Sequence, residues 1–83
     1  MEMSTEKMEI DDRFYLLIKK EQDRTSMVVY KELDSVVRDV VECVKAGLSS
    51  NDMKVMEVRI ENGELKAHEI GWGRILEIAL RTT

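Results

Sequence analysis

The chain has few side chains of the types that usually do chemistry: one histidine, His68, and one cysteine, Cys43. In a predicted hairpin His68 lies opposite Glu57, and such a pair could act as an acid–base couple. The pattern puts no nucleophile beside it, so we predict that the chain is not an enzyme. Cys43 falls near the C-terminal end of a predicted helix, where a thiolate is disfavoured, and we interpret it as a packing residue. Two soft ligands are too few for a zinc site, and no metal or cofactor is expected.

A glycine-containing segment, Gly71-Trp72-Gly73, follows a predicted strand and opens a predicted helix. Glycines at a helix start let an anion approach the free backbone amides. With Arg74 and His68 close by in sequence, this gives one alternative function, the binding of a small anion or phosphate-bearing ligand. The four residues that would form the site are Gly71, Gly73, Arg74 and His68. The segment lacks the Gly-Lys-Ser/Thr ending of a phosphate loop, and Gly71 can equally be a plain helix cap.

Four basic residues surround the first predicted hairpin: Lys19, Lys20, Arg24 and Lys31. A basic hairpin can enter a DNA groove, so a nucleic-acid-associated regulator is a second alternative. Three acidic residues are interleaved with these bases and would repel phosphate. We therefore expect a solvated hairpin in preference to a nucleic-acid contact.

The net charge of −4 belongs entirely to the beginning of the chain. Residues 1–12 hold five acids and one base, whereas residues 13–83 hold twelve of each. We predict that residues 1–12 are a disordered acidic tail and that residues 13–83 form a single domain. A neutral domain lacks the basic field that attracts nucleic acid and does not repel a second copy of itself.

The distribution of apolar and cysteine residues bears on the compartment. The longest apolar run has five residues, far short of a membrane span, and the acidic beginning does not resemble a signal peptide. With a lone cysteine, this predicts a cytoplasmic protein that does not enter a membrane. Charged residues make up 36% of the chain, and amide side chains are few. This balance suggests a thermophilic source.

The apolar periodicity predicts an α+β fold in ββαββα order, with a four-stranded, mainly antiparallel sheet and two helices packed on one face. The expected strands cover residues 13–20, 25–31, 53–60 and 65–70, and the expected helices cover residues 33–46 and 71–81. An alternative for the second strand is that the first helix already begins near Ser26. Residues 21–24 should form a four-residue turn, and Asn62-Gly63 should form a two-residue turn of type I′.

The two-residue turn fixes the register of the second hairpin and therefore its two faces. One face is apolar and is the expected seat of both helices: Met56, Val58, Ile60, Leu65 and Ala67. The other face is expected to be open and mostly polar, with an apolar far end that could be an interface: Met53, Val55, Ile70 and Trp72. The alternative is that the second helix or the first hairpin covers this apolar end.

A chain of this size buries a small core, and it has no disulfide to add stability. Association with a second copy is one way to bury more apolar surface. We therefore predict a non-enzymatic protein-interaction module that forms a homodimer through the open sheet face, or that binds another protein there.

Overall fold

The computed structural model describes residues 12–82, and the predicted acidic tail lies outside them except for Asp12. The elements follow the predicted ββαββα order. They are β1 (Arg13–Glu21), β2 (Arg24–Tyr30), α1 (Leu33–Lys45), β3 (Met53–Glu61), β4 (Glu64–Glu69) and α2 (Trp72–Thr82), with a 3₁₀ turn, Ser50–Asp52, before β3.

The sheet has the strand order β2-β1-β3-β4, and every neighbouring pair is antiparallel. Each hairpin therefore contributes one central and one edge strand, and the two halves of the chain meet along β1 and β3. The α+β fold predicted from the periodicity is confirmed. The second strand is a strand and not the start of a helix, because its residues pair with β1 from Arg24 to Tyr30.

The two hairpin turns differ in how well the sequence predicted them. Asn62 and Gly63 have φ angles of +52° and +78°, as a type I′ turn requires, so this prediction is confirmed. The first turn is tighter than predicted. Glu21 pairs with Arg24, which leaves two residues in the turn, and Gln22 takes a φ of +49°.

Helix α1 packs by one valine-rich stripe, in which Val36, Val37 and Val40 are buried. It ends at Lys45, and Gly47, two residues further on, has a φ of +101°. The amide of Gly47 donates to the carbonyl of Val44, and that of Leu48 donates to the carbonyl of Cys43, both at 3.0 Å. This pair of bonds is the Schellman motif, and glycine provides its left-handed residue without a Cβ penalty.

The core lies between the sheet and both helices. Its buried members are Tyr15, Leu17, Val36, Val37, Val40, Met53, Val55, Ile75 and Ile78. The helices therefore lie on the face that carries Met53 and Val55, and the prediction that they sit on the Met56–Val58 face is wrong. The reason lies in β1, which supplies apolar residues to both faces, so the pattern of the second hairpin alone could not decide between them.

Candidate functional site

The four residues predicted as an interface, Met53, Val55, Ile70 and Trp72, belong to the helix side of the sheet. Met53 and Val55 are 3% and 1% exposed within the core, while Ile70 and Trp72 pack against it and are partly buried. The structure thus corresponds to the alternative in which the helices cover the apolar end, and these residues do not form an exposed surface.

The opposite side of the sheet is apolar and carries no helix of the described part of the chain. The register places on it ten apolar residues, called the open apolar face below: Phe14, Leu16, Ile18, Met27, Val29, Met56, Val58, Ile60, Leu65 and Ala67. Directly opposed residues of antiparallel strands point to the same side, so these side chains form one continuous patch.

Exposure across this face increases toward the two edge strands. Met27 and Val29 on β2 are 64% and 56% exposed, and Leu65 on β4 is 69% exposed. At the centre Val58 is buried, flanked through the register by Phe14 and Ala67. Both edge strands thus carry large apolar side chains that are more than half exposed. Such side chains are typical of a surface that contacts another molecule and not of a surface that faces water.

The size of the open apolar face can be compared with that of known interfaces. Four strands about 4.8 Å apart, each with about seven residues at roughly 3.3 Å per residue, give a face of roughly 19 × 23 Å. Two such faces pressed together bury on the order of 1,000 Å², which reaches the lower limit of specific interfaces. The charged residues of this face lie toward one end of it: Lys20, Lys54 and Glu69.

A second candidate site, called the polar cleft below, surrounds Glu57 on the helix side of the sheet. Glu57 is buried, with 8% exposure. Nε2 of His68 lies 2.9 Å from its Oε1, and the hydroxyl of Tyr15 donates to its Oε2 at 3.4 Å. Arg13 and Arg59 form ion pairs with it at 3.6 and 3.5 Å. The predicted His68–Glu57 pair is therefore present, but two arginines that sequence reasoning missed share the carboxylate.

The polar cleft is a cavity of about 400 Å³ where the ends of several elements meet. Among its lining residues are His68, Gly71 and Arg74, so three of the four residues predicted for anion binding lie together. Gly73, the fourth, is exposed and does not line this cavity. Gly71 immediately precedes α2 and has no side chain with which to cap it.

The residues predicted for nucleic-acid binding are not brought together. Lys20 and Arg24 lie at the turn of the first hairpin, where they share a shallow cavity with Glu21, Asp23 and Asp52. Lys31 follows the opposite end of β2, roughly 20 Å away at the rise of an extended strand. Lys19 is partly buried on the helix side of β1. The acidic residues beside the turn further weaken the positive electrostatic potential that would attract phosphate.

A separate polar cluster, away from both candidate sites, joins β2 to α1. The hydroxyl of Tyr30 donates a short hydrogen bond to Oδ2 of Asp39, and the thiol of Cys43 lies 3.9 Å from Oδ1 of the same carboxylate. Burial raises the pKa of Tyr30, and the hydrogen bond to Asp39 and its charge add to this effect. Burial likewise raises the pKa of the Cys43 thiol, while Lys19 acts in the opposite direction. Cys43 therefore has the environment of an unreactive packing residue.

Two further properties of residues 12–82 bear on function. Their His, Cys, Asp and Glu side chains form no group of three or more that could hold a metal ion. None of the helices in this range has the length and apolar character needed to span a membrane.

The chain was also compared with known proteins. No protein-family model matches it, and neither the curated proteins nor the solved structures include a match. Functional inference therefore depends on the two candidate sites, the open apolar face and the polar cleft.

Proposed function

We propose that the protein is a non-enzymatic interaction module that assembles as a homodimer through the open apolar face. The observation that supports this most is the combination of ten apolar residues on one side of the sheet with both helices on the other side. Exposed apolar area of this extent costs free energy in water, at about 25 cal/mol per Å², and association removes that cost.

A second copy is the occupant that the charges favour. Residues 13–83 have no net charge, so this part of the chain adds no long-range repulsion between two copies. The charged end of the open apolar face carries both signs, Lys20 and Lys54 with Glu69, and is therefore able to pair with a rotated copy of itself. Such self-complementarity is what a twofold interface requires.

The small core supports the same proposal. The buried cluster has nine members and lies on only one side of the sheet. A domain of this size is marginal when it stands alone, and face-to-face packing of two sheets would provide a second apolar layer about 10 Å thick. Association would then stabilise each subunit as well as join them.

Light scattering coupled to size-exclusion chromatography tests this proposal, using the native chain and Leu65→Lys over about 1–500 µM protein. Leu65 is 69% exposed on the open apolar face, so a lysine there should not disturb the fold of one subunit. We expect twice the mass of one chain for the native protein and the mass of one chain for the variant.

The matched control is Leu76→Lys, because Leu76 is 61% exposed but lies on α2, on the other side of the sheet. It should keep the mass of the native protein. A native chain that is monomeric over the whole concentration range contradicts the proposal, as does a dimer that Leu76→Lys dissociates and Leu65→Lys does not. Binding of a different protein to the monomeric chain through this face would replace the homodimer with a heterologous complex.

A further inference from the structure

The polar cleft contains more positive charge than its buried carboxylate can neutralise. Its lining includes three arginines, Arg13, Arg59 and Arg74, and the buried acid Glu57, while Glu69 lines it from a position whose side chain the register directs to the open side of the sheet. Within the cleft, Glu57 is therefore the one carboxylate that the register directs toward these three guanidinium groups. Two further carboxylates lie beside the cleft, since Glu61 pairs with Arg59 and Glu77 pairs with Arg74, both at 3.9 Å.

The arginines of the cleft are held by charge and not by close hydrogen bonds. The ion pairs of Arg13 and Arg59 with Glu57 span 3.6 and 3.5 Å, and the pair of Arg74 with Glu77 spans 3.9 Å. These distances are longer than those of well-formed N–H···O bonds, which are about 2.7–3.2 Å. Their guanidinium donors thus retain the capacity to bind another acceptor.

Competition for the carboxylates points in the same direction. Glu57 is shared by Arg13, Arg59 and His68, and Glu77 is shared by Arg74 and Arg81. One carboxylate offers about four lone-pair sites, and Glu57 also accepts from the hydroxyl of Tyr15. An additional oxyanion would satisfy donors that the protein's own acids serve only in part.

We infer that the polar cleft binds a small molecule through an oxyanion group, a phosphate or a carboxylate, held by Arg13, Arg59 and Arg74. Planar guanidinium groups bind both kinds of oxyanion in bidentate fashion. His68 lies at the same cavity and is oriented by buried Glu57, so it supplies one more donor when protonated. A cavity of about 400 Å³ accommodates a metabolite-sized ligand.

The start of α2 adds a second kind of donor to the cleft. The amides of Arg74 and Ile75 donate to the carbonyl of Gly71 at 3.2 and 3.3 Å, so the amides of Trp72 and Gly73 are the ones left at the helix start, with no capping side chain on Gly71 in front of them. Arg74 lies on the first turn of the same helix, so the guanidinium group and these amides come from one short segment. This contribution supplements the arginines and does not replace them.

Titration of the native, ¹⁵N-labelled chain with inorganic phosphate, followed by NMR at constant ionic strength, tests the inference. We expect saturable shifts that are largest at the Nε–H signals of Arg13, Arg59 and Arg74 and at the amides of residues 71–74. A parallel titration with succinate distinguishes the two oxyanions, because the ligand with the lower dissociation constant identifies the group, phosphate or carboxylate, that the cleft prefers.

The decisive variant is Arg74→Gln, which removes one guanidinium group that is more than half exposed and should leave the fold unchanged. We expect phosphate to bind about tenfold more weakly, the equivalent of about 1.4 kcal/mol. Its matched control is Arg81→Gln, which lies on the same helix and shares the same partner, Glu77, but does not line the cleft. The control should bind phosphate as the native chain does.

Equal weakening by both substitutions would indicate a general charge effect and would overturn the inference. It would also be overturned if neither phosphate nor succinate produced saturable shifts in the native chain. Since the cleft and the open apolar face lie on opposite sides of the sheet, these outcomes do not depend on the oligomeric state.

Discussion

The two faces of the sheet differ in what covers their apolar residues. On one face Tyr15, Leu17, Met53 and Val55 lie beneath both helices. The other side of the sheet, the open apolar face, has ten apolar residues and no helix from residues 12–82. A central strand such as β1, which is apolar on both sides, is typical of a sheet that is covered on both sides. This difference is the basis of the proposal that a second copy of the chain supplies the second layer.

The two faces also differ in where their polar residues lie. On the helix side a buried acid, Glu57, is satisfied by Tyr15, His68 and two arginines, which together form the polar cleft. On the open side the charged residues lie toward one end and leave the apolar patch continuous. One face thus combines packing with a polar site suited to a ligand, and the other is suited to a broad apolar contact.

The largest difference between the faces should appear when a charge is placed on each. Val55→Lys puts an ammonium group in the core, where Val55 is 1% exposed, and should abolish folding through a loss of more than about 4 kcal/mol. Leu65→Lys should leave a folded subunit. Circular dichroism and urea unfolding of both variants measure this, and a native-like Val55→Lys chain would show that Val55 is not in the core.

Two neighbouring leucines on opposite faces provide a finer comparison. Leu17 is fully buried, so Leu17→Ala should cost about 2–5 kcal/mol at any protein concentration. Leu16 lies on the open apolar face and is partly exposed, so Leu16→Ala should cost about 1–2 kcal/mol in the monomer. The cost of Leu16→Ala should increase with protein concentration in urea unfolding. Equal and concentration-independent costs would argue against an interface at Leu16.

The smallest effect is expected at the edge of the helix side, where the Tyr30 hydroxyl binds Asp39. Tyr30→Phe should lower the free energy of unfolding by about 1 kcal/mol at neutral pH. The pKa of Tyr30 is raised above its ordinary value of 10.0, so its contribution is complete below pH 10.0 and is lost as the pH rises toward the folded-state pKa. Unfolding followed between neutral and alkaline pH should show the native chain losing stability that Tyr30→Phe does not lose. If the free energies of unfolding of the native chain and of Tyr30→Phe changed with pH in parallel, this role of the Tyr30 hydroxyl would be contradicted.

The sequence predicted the elements well because their signals are local. The α1 stripe, the helix end at Gly47 and the Asn62-Gly63 turn each depend on a few neighbouring residues. The pairing of Glu57 with His68 was also predictable, since a two-residue turn fixes which residues oppose each other.

The choice of face was not predictable from the same signals. It depends on β1 lying beside β3, and five consecutive apolar residues in β1 are compatible with helices on either side. The contribution of Arg13 to the polar cleft was missed for a related reason. Arg13 reaches Glu57, which lies 44 positions further along the chain, only because β1 pairs with β3. Sequence periodicity carries no information about such long-range neighbours.

The most direct test of the central claim, that the open apolar face joins two copies, is an isotope-filtered NMR experiment on a mixture of ¹³C-labelled and unlabelled chains. It detects only contacts between copies. We predict intermolecular contacts at the methyl groups of Val29, Ile60 and Leu65. Contacts at the exposed methyl groups of Val44 and Leu76 on the helices instead, or no intermolecular contacts at all, would contradict the account.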